Sequence, residues 1–148
     1  MRNPDPHALR DAVETYLDAV VDDAIANVRT GHGGPFAAVV IPAGGGAAVS
    51  RATNGVTRDP DPTAHAEVAA IRAAARTLGT PRLEGHVLLA SCEPCPMCVA
   101  ACLWSRLDGV AWLADRHDAA GAGFDDDAFY RALRAPDPHQ HGLDHVRR

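Results

Sequence analysis

From about Pro6 to Thr30, apolar residues return at Leu9, Val13, Tyr16, Val20, Ala24 and Val28. Three- and four-residue spacings collect on one face of a helix, so the pattern predicts an amphipathic helix ending at Gly31. Gly31 to Pro35 (GHGGP) has no periodicity and reads as a flexible loop, whereas Phe36 to Ile41 is a continuous apolar run suited to a buried strand. Pro42 to Gly46 makes a turn, and Ala47 to Ala52 returns as a second strand. Asn54-Gly55 and Arg58 to Pro62 (RDPDP) carry turn chemistry. Thr63 is the expected N-cap of a helix reaching about Leu78 and closed by Gly79. Val87 to Ser91 is a third strand, followed by a helix from about Cys95 to Leu107 and a fourth strand from Val110 to Ala114. Asp125 to Arg134 reads as a last helix, and the remainder is polar and Pro-rich. Strands alternating with helices in the second half imply parallel pairing and a three-layer α/β/α sandwich.

Length and composition narrow this picture. A chain of 148 residues is one domain by default, here taken as 1–148, and can bury a real core. With 47% apolar and 22% charged residues, it is an ordinary soluble composition. No stretch approaches the roughly 20 apolar residues that span a bilayer, so no membrane role is expected. The Met1 end shows no charged segment followed by an apolar run, so no signal peptide is visible and a cytoplasmic location is expected. The net charge is −5, and all 14 basic residues are Arg. On average such a surface repels a phosphate backbone, so nucleic acid is not the expected partner. All four cysteines fall between Cys92 and Cys102. Disulfide staples would be spread along the chain, so the crowding points to metal or redox chemistry.

Two short segments carry that chemistry: His65-Ala66-Glu67 and Pro94-Cys95-Pro96-Met97-Cys98, each at a predicted helix start. Two cysteine sulfurs at such spacing can face one ion, and the positive end of the helix dipole favours their ionised form. An imidazole from a neighbouring helix start completes three protein ligands. Zinc held by three ligands keeps a fourth position for water, the arrangement of a catalytic site. Glu67 is too close in sequence to His65 to share the ion comfortably and is better placed to move a proton of the water. Singly, each residue has a plainer role. A lone histidine is more often a capping or partly buried side chain, a first-turn Glu suits the helix dipole, and a lone Cys-x-x-Cys serves redox pairs or zinc knuckles. Together, H-x-E followed by P-C-x-x-C is the signature of zinc deaminases. A rival lies in Cys92, Cys95, Cys98 and Cys102, spaced as in an iron–sulfur run. Leu103 stands where that run has Pro, no second run exists, and a cluster leaves His65 and Glu67 unexplained. Cys92 and Cys102 are therefore expected as small packed residues.

Four further segments carry a resemblance: GHGGPF (Gly31 to Phe36), DPTAHAEVAAIR (Asp61 to Arg72), SCEPCPMC (Ser91 to Cys98) and DAAGAGFDD (Asp118 to Asp126). Over roughly Gly31 to Leu133 the chain resembles the bacterial guanine deaminases of the cytidine deaminase superfamily. The resemblance implies a cytidine deaminase-like α/β fold, with a five-stranded mixed sheet between helices and a homodimer that exchanges its C-terminal segments. It implies Zn2+ on His65, Cys95 and Cys98, and Glu67 as the proton carrier. It also implies that Phe36 stacks on the ring, that Asn54 and the Ala66 amide bind the base, and that Trp104 walls the pocket. Asp126 would contact the base edge and help protonate the leaving amine. The implied reaction converts guanine to xanthine and ammonia, and related enzymes act on cytosine, s-triazines such as ammeline, or guanosine. The family's last segment also carries an acidic residue and an aromatic ring, for which no counterpart is found before Arg148. A tRNA adenosine deaminase shares both zinc motifs but would favour basic loops. A purely structural zinc module would normally use a fourth protein ligand.

Overall fold

The apolar run after Phe36 forms the strand around which the rest is assembled. The computed structural model describes residues 6–134. Its elements are α1 (Pro6–Arg29), β1 (Ala37–Pro42), β2 (Ser50–Thr53), α2 (Ala66–Leu78), β3 (His86–Cys92), α3 (Pro96–Trp104), β4 (Gly109–Ala114), α4 (Arg116–Gly121) and α5 (Asp127–Arg134). The sheet runs β2-β1-β3-β4, with β1 antiparallel to both neighbours and β3 parallel to β4. Parallel pairing in the second half, with α3 as the crossover, is as the alternation of elements required.

Side chains alternate across β1 and divide the core in two. Ala37, Val39 and Ile41 pack with Val20 and Ala24 of α1, together with Val87 and Leu89. Ala38 and Val40 face the other way, toward Ala66, Ala70 and Ala74 of α2, Leu88 and Cys102. This is the expected sandwich, with helices on both faces of a mixed sheet. Among the described residues the sheet has four strands where the resemblance implied five, and the chain after β4 adds none. Residues 115–134 contain no β-branched side chain, and Gly121, Gly123 and Asp125–Asp127 supply turn and cap chemistry instead. Asp115 opens α4 with a reciprocal capping box to Asp118. The chain therefore leaves the sheet as two short helices, of which α4 was not expected.

Several boundaries also move. The second strand begins at Ser50, because the turn extends through Gly45 and Gly46, both at positive φ, and Tyr16 ties it down by donating to the Gly46 carbonyl at 2.9 Å. Thr63 does not cap α2. Its N–H and hydroxyl both donate to Asp61 Oδ1, at 2.8 and 2.7 Å, which leaves His65 at the cap position. The third helix stops at Trp104 rather than Leu107, since Arg106 turns left-handed at φ 62°. The Leu9 side chain and the Pro-rich tail, residues 135–148, lie outside the described residues. Among the described residues, no helix is long and apolar enough to cross a membrane.

Candidate active site

α2 and α3 begin next to each other, and neither start is capped by a side chain. His65 and Cys95 occupy the two cap positions in extended conformation, and Cys98 lies one turn inside α3. Residues spared from capping can turn toward a common point. Cys95 Sγ and Cys98 Sγ each lie 3.6 Å from His65 Nδ1, and 3.5 Å from one another. Tetrahedral zinc, with Zn–S of about 2.3 Å and Zn–N of about 2.0 Å, separates two thiolates by about 3.8 Å and a thiolate from an imidazole nitrogen by about 3.5 Å. The donor triangle fits that ion. Among the described residues, these three form the cluster of His, Cys, Asp or Glu tight enough to hold one ion.

Electrostatics separates the cysteines. A hydrogen bond from Cys98, with another from His65, pulls the Cys95 thiol down to about 4 despite its burial. Cys98 keeps its proton, because it donates to Cys95 and is itself buried. The Cys95 thiolate in turn raises His65 above the usual imidazole range. Burial pushes Cys92 up to about 11 and Cys102 to about 12, so both remain thiols. Cys92 points to the Asp115 carbonyl at 3.7 Å and Cys102 packs into the α2-side core. The four sulfurs do not converge, which removes the basis for the iron–sulfur reading.

The donor set opens on a cavity of about 1110 Å³. Glu67 lines it beside His65 and is only 8% exposed, and burial raises its carboxyl above the ordinary range. A buried carboxyl with a raised pKa beside a metal-ligand set suits proton transfer near neutrality. Phe36 and Asn54 form a second wall. Asn54 Oδ1 accepts from the amides of Gly34, at 3.4 Å, and Val56, at 3.3 Å. These bonds fix the oxygen toward the protein and leave the amide nitrogen as the end available to a ligand. Gly33 is required there for space, since an added Cβ would lie 2.2 Å from the Asn54 carbonyl oxygen.

The third wall comes from the segment after β4. Phe124 meets Phe36 edge to face with centroids 5.0 Å apart. Of the acidic trio, Asp125 accepts from the Asp127 amide at 3.0 Å and Asp127 pairs with Arg131. Asp126 lines the cavity, and burial raises its carboxyl. Ala66 contributes no side chain to the cavity, since its methyl lies in the core, but its peptide joins the two lining residues His65 and Glu67. Trp104 is not brought to the pocket. Six residues past Cys98, it stands about 9 Å further along the helix axis, 82% exposed and away from the lining residues.

Other contributors carry little sequence signal. Asn27 is buried within α1 and donates to the carbonyls of Gly34, at 2.8 Å, and Asn54, at 2.9 Å. Val28, counted in the apolar stripe, is 50% exposed, and Asn27 takes the inward position. An amide beside that stripe was the available signal. Glu93, Arg116 and Phe124 also line the cavity, and nothing in their spacing marks them.

The sequence of residues 11–114 matches the family model for the cytidine and deoxycytidylate deaminase zinc-binding region. The chain belongs to this deaminase family. It is 46% identical over 123 residues to guanine deaminase of Bacillus subtilis, an alignment covering 83% of this chain and 78% of that one. The solved structure of guanine deaminase from Bacillus subtilis superposes with a TM-score of 0.84, at 42% identity, over 90% of this chain and 83% of the other. A protein variant crystallised with 8-azaguanine matches at TM-score 0.73 and 31% identity, over 84% of this chain and 76% of that one. Similarity extends to the tRNA-specific adenosine deaminase of Aquifex aeolicus, 42% identical over 80 residues, 54% of this chain and 52% of that protein. Family membership makes the chain a hydrolytic C–N deaminase. It also matches the geometry, because the three clustered donors belong to the two motifs that define the zinc-binding region.

Proposed function

We propose that the chain removes the exocyclic amine of a free nucleobase by hydrolysis, with guanine as substrate and xanthine and ammonia as products. The observation that carries this is the juxtaposition of the His65, Cys95 and Cys98 triangle, the buried Glu67 carboxyl, and a cavity walled by Phe36, Asn54 and Asp126. Zinc bound by His65, Cys95 and Cys98 would supply Lewis-acid activation of a water. Glu67 takes a proton from that water and delivers it to the ring nitrogen next to the carbon under attack. Once that carbon is tetrahedral, Glu67 with Asp126 carries a proton to the amine, which leaves as ammonia as the new C=O forms. Phe36 stacks on the ring, while Asn54 and the Ala66 amide, at the uncapped start of α2, bind its polar edge. Similarity to guanine deaminase over most of both chains, and to a protein crystallised with 8-azaguanine, supports a purine-sized ring.

The reading extends to a cytoplasmic, single-domain homodimer that binds no nucleic acid. Val99, Leu103 and Trp104 on the outer side of α3 are exposed apolar residues that support self-association, and sedimentation of the purified protein tests it. The second reading, a tRNA adenosine, rests on the shorter matches. It conflicts with the acidic residues Asp125 and Asp126 at the cavity and with the net charge of −5. Ammonia release should be measured on guanine, cytosine, ammeline, guanosine, adenosine and an anticodon stem-loop, with metal content determined in parallel. About one zinc per chain and a clear preference for guanine are expected. Preference for another ring replaces the substrate, and activity confined to the stem-loop overturns the free-base reading.

A further inference from the structure

The wall opposite Phe36 is carried by a segment that buries almost nothing of its own. α4 and α5 contain no buried residue, yet Arg116, Phe124, Asp126 and Phe129 all line the cavity. The contacts that hold this arm converge on residues 92–94, immediately before Cys95. The Tyr130 hydroxyl donates to the Pro94 carbonyl at 2.7 Å. α3 makes its first backbone bond to the Cys95 carbonyl, so the helix does not use the carbonyl of Pro94. Arg116 donates its backbone N–H to Glu93 Oε2 at 3.1 Å, and its guanidinium lies 3.8 Å from Glu93 Oε1 and 4.9 Å over the Tyr130 ring. Its Nε is buried without a hydrogen-bond partner, so the Tyr130 stack and the Glu93 charge are what hold the guanidinium.

We propose that Tyr130 is a positioning residue that latches this arm onto the metal-ligand loop and so aims Asp126 into the cavity, with Arg116 bracing its ring. The two residues are mechanically linked, since the amides of Phe129 and Tyr130 both donate to the Asp126 carbonyl, at 2.9 and 3.4 Å. Tyr130 stands one helical turn after Asp126. Any swing of α5 away from Pro94 therefore carries the acid with it. Burial, followed by the nearby acids Asp126 and Glu93, pushes the phenol up to about 12, so the hydroxyl keeps the proton it donates at any working pH.

The kinetic consequence of the latch rests on the deaminase reading, whereas the docking itself does not. The test uses zinc-loaded full-length protein and the variant Tyr130→Phe, which keeps the ring under Arg116 and removes only the hydroxyl. Loss of one neutral hydrogen bond lowers the docking equilibrium constant roughly five-fold. A drop of up to about five-fold in kcat/KM on guanine is expected, with unchanged zinc content. In an Asp126→Asn background the same change should cost less than about two-fold, because the latch acts through Asp126. Hydrogen exchange read on peptides covering residues 119–134 should speed up in Tyr130→Phe and in Arg116→Ala, while exchange in β1 and β3 stays as in the wild type. Unchanged exchange in both variants overturns the latch whether or not the protein deaminates any ring tested. Equal, additive losses in the two backgrounds overturn its action through Asp126. An inactive wild type would overturn the deaminase reading separately, and the exchange data would still decide the docking.

Discussion

Replacing Asn27 by Ala should destabilise the fold and loosen the pocket together, although Asn27 lies behind the site. Its side chain is 4% exposed and gives both amide hydrogens to the protein, one to Gly34 and one to Asn54. Those acceptors belong to the loop before Phe36 and to the residue proposed to bind the base. The Asn54 carbonyl is buried at this bond, and leaving it unpaired costs about 1–3 kcal/mol. The Gly34 carbonyl still accepts from the Phe36 amide at 2.8 Å, so its loss is the net value of a hydrogen bond, about 1 kcal/mol. The sum is about 2–4 kcal/mol, below the roughly 5–15 kcal/mol typical of a folded domain, so the variant should fold. Asn27→Asp is the control. It keeps the shape but, when ionised, sets an oxygen against both carbonyls. Its carboxyl must titrate above the unfolded value of about 3.9, so the variant should be at its best in acid and lose stability as pH rises from there. Urea denaturation of zinc-loaded protein gives the stability, and KM for guanine gives the pocket. A loss under about 0.5 kcal/mol with unchanged KM, or an Asp variant as stable as wild type at pH 7, would refute this account of the loop.

Three further outcomes follow from the site. Glu67→Gln keeps the shape but cannot take the proton of a water, so kcat should fall at least about 10²-fold with zinc content intact; near-normal turnover would remove Glu67 from the chemistry. Asp126→Asn should lower kcat/KM more than Asp125→Asn or Asp127→Asn, because Asp127 pairs with Arg131 and Asp125, although it also lines the cavity, is engaged by the Asp127 amide, whereas burial raises the Asp126 carboxyl there. Equal small effects of all three, measured by ammonia release, would leave the trio as a solvated helix start. Gly33→Ala forces a Cβ to 2.2 Å from the Asn54 carbonyl oxygen and 3.0 Å from Asn27 Nδ2. It should cost about 1–3 kcal/mol in urea denaturation and raise KM, and a variant matching wild type in both would show that the loop has slack.

The chemistry was more legible in the sequence than the walls around it. Residue types that can hold a metal are few and sit where helix starts place them, so the His65, Cys95 and Cys98 triangle and the adjacent Glu67 could be anticipated from residue type and spacing. The strands β1, β3 and β4 were legible for a similar reason, since buried strands are runs of apolar side chains. Thr63 misled because its hydroxyl has two local uses, and Asp61 offered the nearer one. Trp104 as a pocket wall came from the resemblance alone, and the helix rise carries it away from the lining residues. Arg116 and Tyr130 act through contacts made 23 and 36 residues away, and no local pattern carries such information. The segment after β4 lacked helical periodicity, so α4 was invisible, and the fifth strand came only from the resemblance.

The two kinds of legibility reflect two kinds of support. His65 and Glu67 are fixed to the start of α2, backed by Ala66 and Ala70, and Cys98 to α3, backed by Cys102, all buried in the core shared with the sheet. Moving any of them means moving packed helices, and that costs several contacts at once. Phe124, Asp126 and Phe129 stand on an arm with no buried residue, tied down through Pro94, Glu93 and Phe36. On the proposed reading, substitutions in the arm should touch ring recognition at small cost to stability, whereas those at the helix starts should cost stability and chemistry together. If members of this fold differ in the ring they accept, the physics places the tolerant positions in the 116–134 segment and the Gly31–Phe36 loop. The hydrolytic step, by contrast, needs donors spaced for one ion and an acid whose pKa is set by burial, and neither survives a loose support. A site divided in this way can exchange its substrate by repacking one weakly buried wall while the proton transfers stay where α2 and α3 begin.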